Sequence, residues 1–166
     1  MLHRPYLVVF TSISLLGGAS ACSPASSGEE PIGESADAIT GAAVVANGEQ
    51  WVAAQLHYCQ AAYGAVDYDS SCWAWEGPSH VCNRQSNPAW DAYRSDCSGF
   101  VTWAWGLPPI GDGGYVTSDF APFATSFSKV IQAIDLLPGD AANLTAGGHI
   151  VLFKQWVTPG SKAVFL

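Results

Sequence analysis

The chain has 166 residues, with 14 Asp plus Glu against 6 Lys plus Arg and a formal charge of −8. Only 12% of residues are charged while 49% are hydrophobic, which excludes a disordered chain, since disorder needs few apolar residues and high charge density. The acidic excess also argues against a nucleic-acid binder, whose affinity comes from a clustered basic face.

The first residues predict export. His3 and Arg4 precede the apolar run Tyr6 to Leu16, and small residues from Gly17 to Ala21 lead up to Cys22. A basic start, a short apolar stretch and a small-residue end describe a secretory signal over residues 1–21. The run is shorter than the roughly 20 residues that cross a bilayer. A buried first helix is the alternative.

Ala19-Ser20-Ala21 forms an A-x-A cleavage site, and with Cys22 it resembles a bacterial lipobox, with Ala19 where leucine is usual. The resemblance implies lipidation of Cys22, plain secretion being the alternative. The expected location is the cell envelope, lipid-anchored to a membrane facing the periplasm or the exterior. Residues 23–46 carry four acids, no base and no aromatic residue, so 22–46 reads as the lipidated cysteine and a flexible spacer. All seven tryptophans lie at Trp51 or later, which places one globular domain over 47–166.

Within that domain Asn47 can cap a helix, with Gln50 in the capping-box position. Val52, Leu56, Cys59 and Tyr63 fall at helical spacing, and Gly64 ends the run. Residues 65–95 lack either period and read as a long ordered loop held by a disulfide. Asp96 opens a second helix that Gly106 and Pro108-Pro109 terminate, with Phe100, Trp103, Ala104 and Leu107 as its buried stripe. Phe127 to Ile134 fits a short helix or a strand. Gly147-Gly148 then leads into the strand-like run HIVLFKQW, and SKAVFL forms a last strand. Its abrupt stop at Leu166 predicts a domain incomplete at the C-terminus. The expected class is α+β, with N-terminal helices packed on a small antiparallel sheet.

The chemistry-bearing residues are Asp96-Cys97-Ser98-Gly99 and, 52 positions after Cys97, His149. A cysteine at a helix N-terminus faces unpaired amides and the positive end of the helix dipole, which favours the thiolate. Its pKa is therefore expected below the free value of about 8.5. Asp96 opposes this as a neighbouring negative charge, but as N-cap its oxygens would be engaged by the amides of Ser98 or Gly99. A His149 imidazolium is expected to decide the balance. His149 shares a strand face with Val151 and Phe153, while Ile150 and Leu152 face the other way. Cys97 is then the expected nucleophile and His149 the proton carrier, with backbone N–H groups at Cys97 receiving the oxyanion.

In chain order the sequence holds DCSGFV, Leu136-Leu137-Pro138-Gly139-Asp140 and GGHIVLF, after an early GEQWV helix. This trio resembles the NlpC-type cell-wall peptidases, a bacterial branch of the papain-like cysteine peptidases, over residues 48–166. The resemblance implies a papain-like fold, no cofactor, and peptide stems or cross-bridges of peptidoglycan as substrate. It also implies a third polar residue that orients the histidine from the next strand, and a tyrosine upstream of the cysteine. The AVFL strand offers no such polar residue, so the orienting group is expected to be absent or to lie beyond Leu166. Tyr68 and Tyr93 are the candidate tyrosines.

Several alternatives compete. Without Cys22, the set Cys59, Cys72, Cys82 and Cys97 is even and could form two disulfides. The motif around Cys97 favours a free thiol there and leaves Cys72–Cys82 as the expected bridge. The pairs His57/Cys59 and His80/Cys82 could suggest zinc, but residues two apart on a helix diverge, and no metal is expected. A core role is the bland reading of His149 and of most tryptophans, and Asp140 reads as a turn anchor. The expected function is that of a monomeric envelope cysteine peptidase or amidase. The alternatives are an inactive envelope lipoprotein that binds wall peptides or a protein partner, and a thiol acyltransferase on the same fold.

Overall fold

The computed structural model describes residues 7–11, 39–67, 79–111, 113–144 and 148–166. Cys22, Tyr68, Cys72 and nearly all of the expected signal and spacer lie outside the described residues.

Helix α1 spans Gly41–Ala54, and Thr40 caps it by accepting a hydrogen bond from the Ala43 amide at 3.2 Å. It therefore starts ahead of Asn47. Asn47 lies inside the helix, where its side-chain amide donates to the Ala104 carbonyl at 3.1 Å. The buried positions are Val44, Gly48 and Trp51, a spacing of four and three that makes one helical face. Val52, expected inside, is 52% exposed. Gly48 is needed where it stands: a Cβ there would lie 2.8 Å from Leu152 Cδ2 and 3.3 Å from Phe100 Cζ. Its absence lets α1 lie close to both of those neighbours.

The helix stops at Gln55, whose backbone is left-handed, well short of the expected end at Gly64. Residues 56–60 then run without helix or strand. Helix α2 spans Cys97–Ala104 and follows the expectation closely, with Asp96 as N-cap and Gly106 at positive φ just past the end. It is buried on most sides, at Ser98, Gly99, Phe100, Val101, Thr102 and Ala104.

Among the described residues, five strands follow an antiparallel pattern: β1 (Leu7–Thr11), β2 (Lys129–Ile131), β3 (Ala141–Leu144), β4 (His149–Thr158) and β5 (Lys162–Phe165). The sheet order is β2-β1-β3-β4-β5. The architecture is α+β, as expected. Strand β1 comes from the apolar run read as an export signal; Leu, Val and Phe pair readily at an open strand edge. Its main contacts are with β2, β3 and the short turn Ala133–Asp135. The meander β3-β4-β5 is continuous without it. The segment that fitted helix or strand resolves into β2 and that turn.

The main core lies between the two helices and one face of β4. Val44, Trp51, Phe100, Val101, Ile150 and Leu152 form it, and each such side chain contributes about 1.5–3 kcal/mol by leaving water. Phe153 points the other way, into a second cluster with Leu136 and Trp156. The alternation expected for β4 is thus observed. Leu152 and Leu166 exchange backbone hydrogen bonds at 3.1 and 2.9 Å, which aligns the end of the hairpin with the start of the site.

Candidate functional site

The N-terminus of α2 is built by Asp96. Its Oδ1 accepts from the Gly99 amide at 2.8 Å and from the Ser98 hydroxyl at 3.2 Å, while Oδ2 pairs with Arg94. Asp96 and Ser98 therefore support the helix start, as the sequence predicts. Gly99 is dictated by the same turn. A Cβ at Gly99 would stand 2.1 Å from the Arg94 carbonyl oxygen, so no side chain fits where the entering chain crosses the helix.

This turn presents Cys97 to β4. The Cys97 Sγ lies 3.9 Å from the Gly148 carbonyl oxygen, and the Ile150 amide donates to the sulfur. The sulfur thus contacts the backbone on both sides of His149. Cys97 and His149 line one cavity of about 270 Å³ with Trp51, Tyr58, Phe100 and Leu166. A larger cavity of about 550 Å³, bordered by Asp67 and Arg94, holds neither Cys97 nor His149.

The electrostatics correct one expectation. Burial pushes the Cys97 thiol up from its ordinary value, and the Asp96 carboxylate pushes the same way. The amides of Ile150, Ser98 and Cys97 oppose this, without prevailing. The helix N-terminus does supply N–H groups, but desolvation of the charged form outweighs them. The Cys97 thiol is thus harder to ionise than a free cysteine, the reverse of the expected direction. Among the described residues, no side chain hydrogen-bonds the His149 imidazole.

The cysteines also rearrange the expected bridge. Cys82 is bonded to Cys59, with the two Cα atoms 6.0 Å apart, and not to Cys72. Cys59 is available because it is off the helix: its amide donates to Ser95 Oγ at 3.1 Å and its carbonyl accepts from the Ser95 amide at 2.9 Å. Cys97 is a free thiol, as the motif predicts. With Cys59 and Cys82 joined, the two His-x-Cys pairs have no thiolates left for zinc. Among the described residues, no group of three or more His, Cys, Asp or Glu could hold a metal ion.

Tyr93 is not the cavity tyrosine; its hydroxyl donates to the Leu107 carbonyl at 2.9 Å. Tyr58 lines the cavity instead. Burial raises its pKa, the Gln60 side chain pulls the other way through a hydrogen bond, and the charges of Asp96 and Cys97 raise it further. The phenol is thereby kept protonated and can donate. Sequence reasoning missed Tyr58 because it placed residues 56–63 on a helix.

Arg84 was missed as well. It is 3% exposed and donates to the carbonyls of Trp90, Asp91 and Tyr93, fixing the turn that enters α2. Asp140 anchors its turn as expected, accepting from the Leu137 amide at 2.8 Å. Of the tryptophans, Trp51 and Trp105 are core, and Trp51 packs on Trp103 at 5.3 Å between ring centroids.

Comparisons with protein-family models, with curated proteins and with solved structures return no match to this chain.

Proposed function

We propose that the protein is a thiol hydrolase of peptide amide bonds, with Cys97 as nucleophile and His149 as proton carrier. The observation that carries this is the free Cys97 sulfur, at a capped helix N-terminus, lying against the backbone that flanks His149 in one cavity. The order of the motifs, DCSGFV then LLPGD then GGHIVLF, supports membership of the NlpC-type peptidases and a papain-like arrangement. That resemblance extends the reading to peptidoglycan peptides as substrate. Export and lipid anchorage at Cys22 accord with a substrate outside the cytoplasm.

The steps start from the protonated Cys97 thiol. As the Cys97 sulfur attacks the amide carbonyl carbon, its proton passes to His149. The new oxyanion meets the N–H groups at the start of α2 and the Tyr58 hydroxyl. His149 then gives its proton to the leaving nitrogen as the C–N bond breaks, and an amine departs from a thioester. Water adds to the thioester with His149 taking its proton, and the acid product leaves as the thiol is restored. The walls around these transfers are mainly apolar (Trp51, Phe100, Ile150, Leu166).

Purified muropeptides incubated with the chain test the reading through newly released amino groups. Release that disappears in Cys97→Ala supports it. Release of nothing by the wild-type chain, with muropeptides still bound, would favour the non-catalytic envelope module.

A further inference from the structure

We propose that the Cys59–Cys82 disulfide is the positioning element of this site, holding the Tyr58 strip against the start of α2, and that the bridged chain is the competent form. The inference rests on the thiol-hydrolase reading and adds what keeps its geometry.

Tyr58 sits in a stretch with no helix or strand of its own, so regular backbone pairing does not fix it. Three hydrogen bonds to one serine do. The Cys59 amide donates to Ser95 Oγ at 3.1 Å, the Ser95 amide donates to the Cys59 carbonyl at 2.9 Å, and Ser95 Oγ donates to the His57 carbonyl at 2.6 Å. Ser95 leads directly into Asp96 and Cys97. On the other side of the sulfur bridge, Cys82 exchanges backbone hydrogen bonds with Gly64 and Ala65, each at 2.9 Å. Two residues further on, Arg84 gathers the carbonyls of Trp90, Asp91 and Tyr93. The bridge therefore ties the Tyr58 strip to the hub that also fixes the entry to α2.

Both sulfur-bearing residues are buried, Cys59 at 1% and Cys82 at 0% exposure. Without the bond the strip regains backbone freedom, and Tyr58 no longer has one place relative to Cys97. A misplacement of about 1 Å in a catalytic constellation costs on the order of a hundredfold in rate.

The test compares the wild-type chain, the double variant Cys59→Ala/Cys82→Ala, and Ser95→Ala. The readouts are kcat and KM on one purified muropeptide, thermal unfolding, and the pH midpoint of Cys97 alkylation by iodoacetamide. Both variants should lose about 10- to 100-fold in kcat with KM within about twofold. In both, the alkylation midpoint should move down toward the free-thiol value of about 8.5 as water reaches the sulfur. A folded double variant with wild-type kcat and an unmoved midpoint overturns the proposal. If the double variant does not fold, the wild-type chain with the Cys59–Cys82 bridge reduced decides by the same two readouts. If the wild-type chain cleaves no muropeptide, the hydrolase reading fails separately; a moved midpoint still supports the positioning role, and an unmoved one overturns it.

Discussion

The Cys97 sulfur lies 3.9 Å from the carbonyl oxygen of Gly148, the residue immediately before His149. One capped helix and one strand start are thereby brought together. The contact also explains why the thiol is harder, not easier, to ionise: the approach that gives it a partner also removes it from water.

Alkylation of Cys97 by iodoacetamide should therefore show a pH midpoint above that of a free thiol, about 8.5. Asp96→Asn keeps a side-chain cap for Gly99 and removes the adjacent negative charge, so the midpoint should fall. Rates followed by mass spectrometry across pH 6 to 11 decide both. A midpoint below 8 in the wild-type chain would contradict the burial argument.

The same shift has a stability consequence. An acid whose folded pKa is raised holds its proton in the folded state after the unfolded state has released it. The unfolded state then binds fewer protons, so stability falls as pH rises through the unfolded value of about 8.5. Urea midpoints should decline from pH 8 to 10, and the decline should be shallower in Cys97→Ala.

His149→Asn should lower kcat/KM by about 10²- to 10⁴-fold, the usual share of general acid–base catalysis. His149 is exposed, so thermal stability should stay within about 0.5 kcal/mol of wild type. Loss of activity together with a large loss of stability would instead assign His149 a packing role.

Gly99→Ala should destabilise by more than about 2 kcal/mol, as overpacked sites do, because its Cβ would meet the Arg94 carbonyl at 2.1 Å. Arg84→Ala should also destabilise the chain, because the carbonyls of Trp90, Asp91 and Tyr93, all met by the one Arg84 Nη2, would lose that donor. Chemical unfolding of each variant measures the loss.

A chain beginning at Cys22 should keep the Cys97 environment, with the same alkylation midpoint as the full chain. The side chains around the sulfur come from α1, α2, β4 and the 56–60 strip, whereas β1 rests mainly on β2, β3 and the Ala133–Asp135 turn. A changed midpoint would give residues 7–11 a part in the site.

Much of the site was legible because its signals are local. Asp96 before a cysteine and an apolar run identifies the cap and start of α2, and alternation along His149 to Phe153 identifies the faces of β4. The first helix misled. Val52, Leu56, Cys59 and Tyr63 keep a helical period on paper, yet Ser95 and Cys82 hold residues 57–60 outside any helix, and such partners are invisible in a window of neighbours. The period of Val44, Gly48 and Trp51 straddles the expected boundary, with Val44 in the spacer and the other two in the helix, so the start of the helix at Gly41 does not show. Cysteine parity could not select Cys59 over Cys72 for the same reason: pairing depends on chain crossings that sequence separation does not encode.

The Cys97 sulfur and the Gly148 carbonyl that it approaches lie 51 positions apart in the chain. During synthesis the thiol therefore emerges well before β4, and its buried surroundings are assembled only as the final hairpin docks.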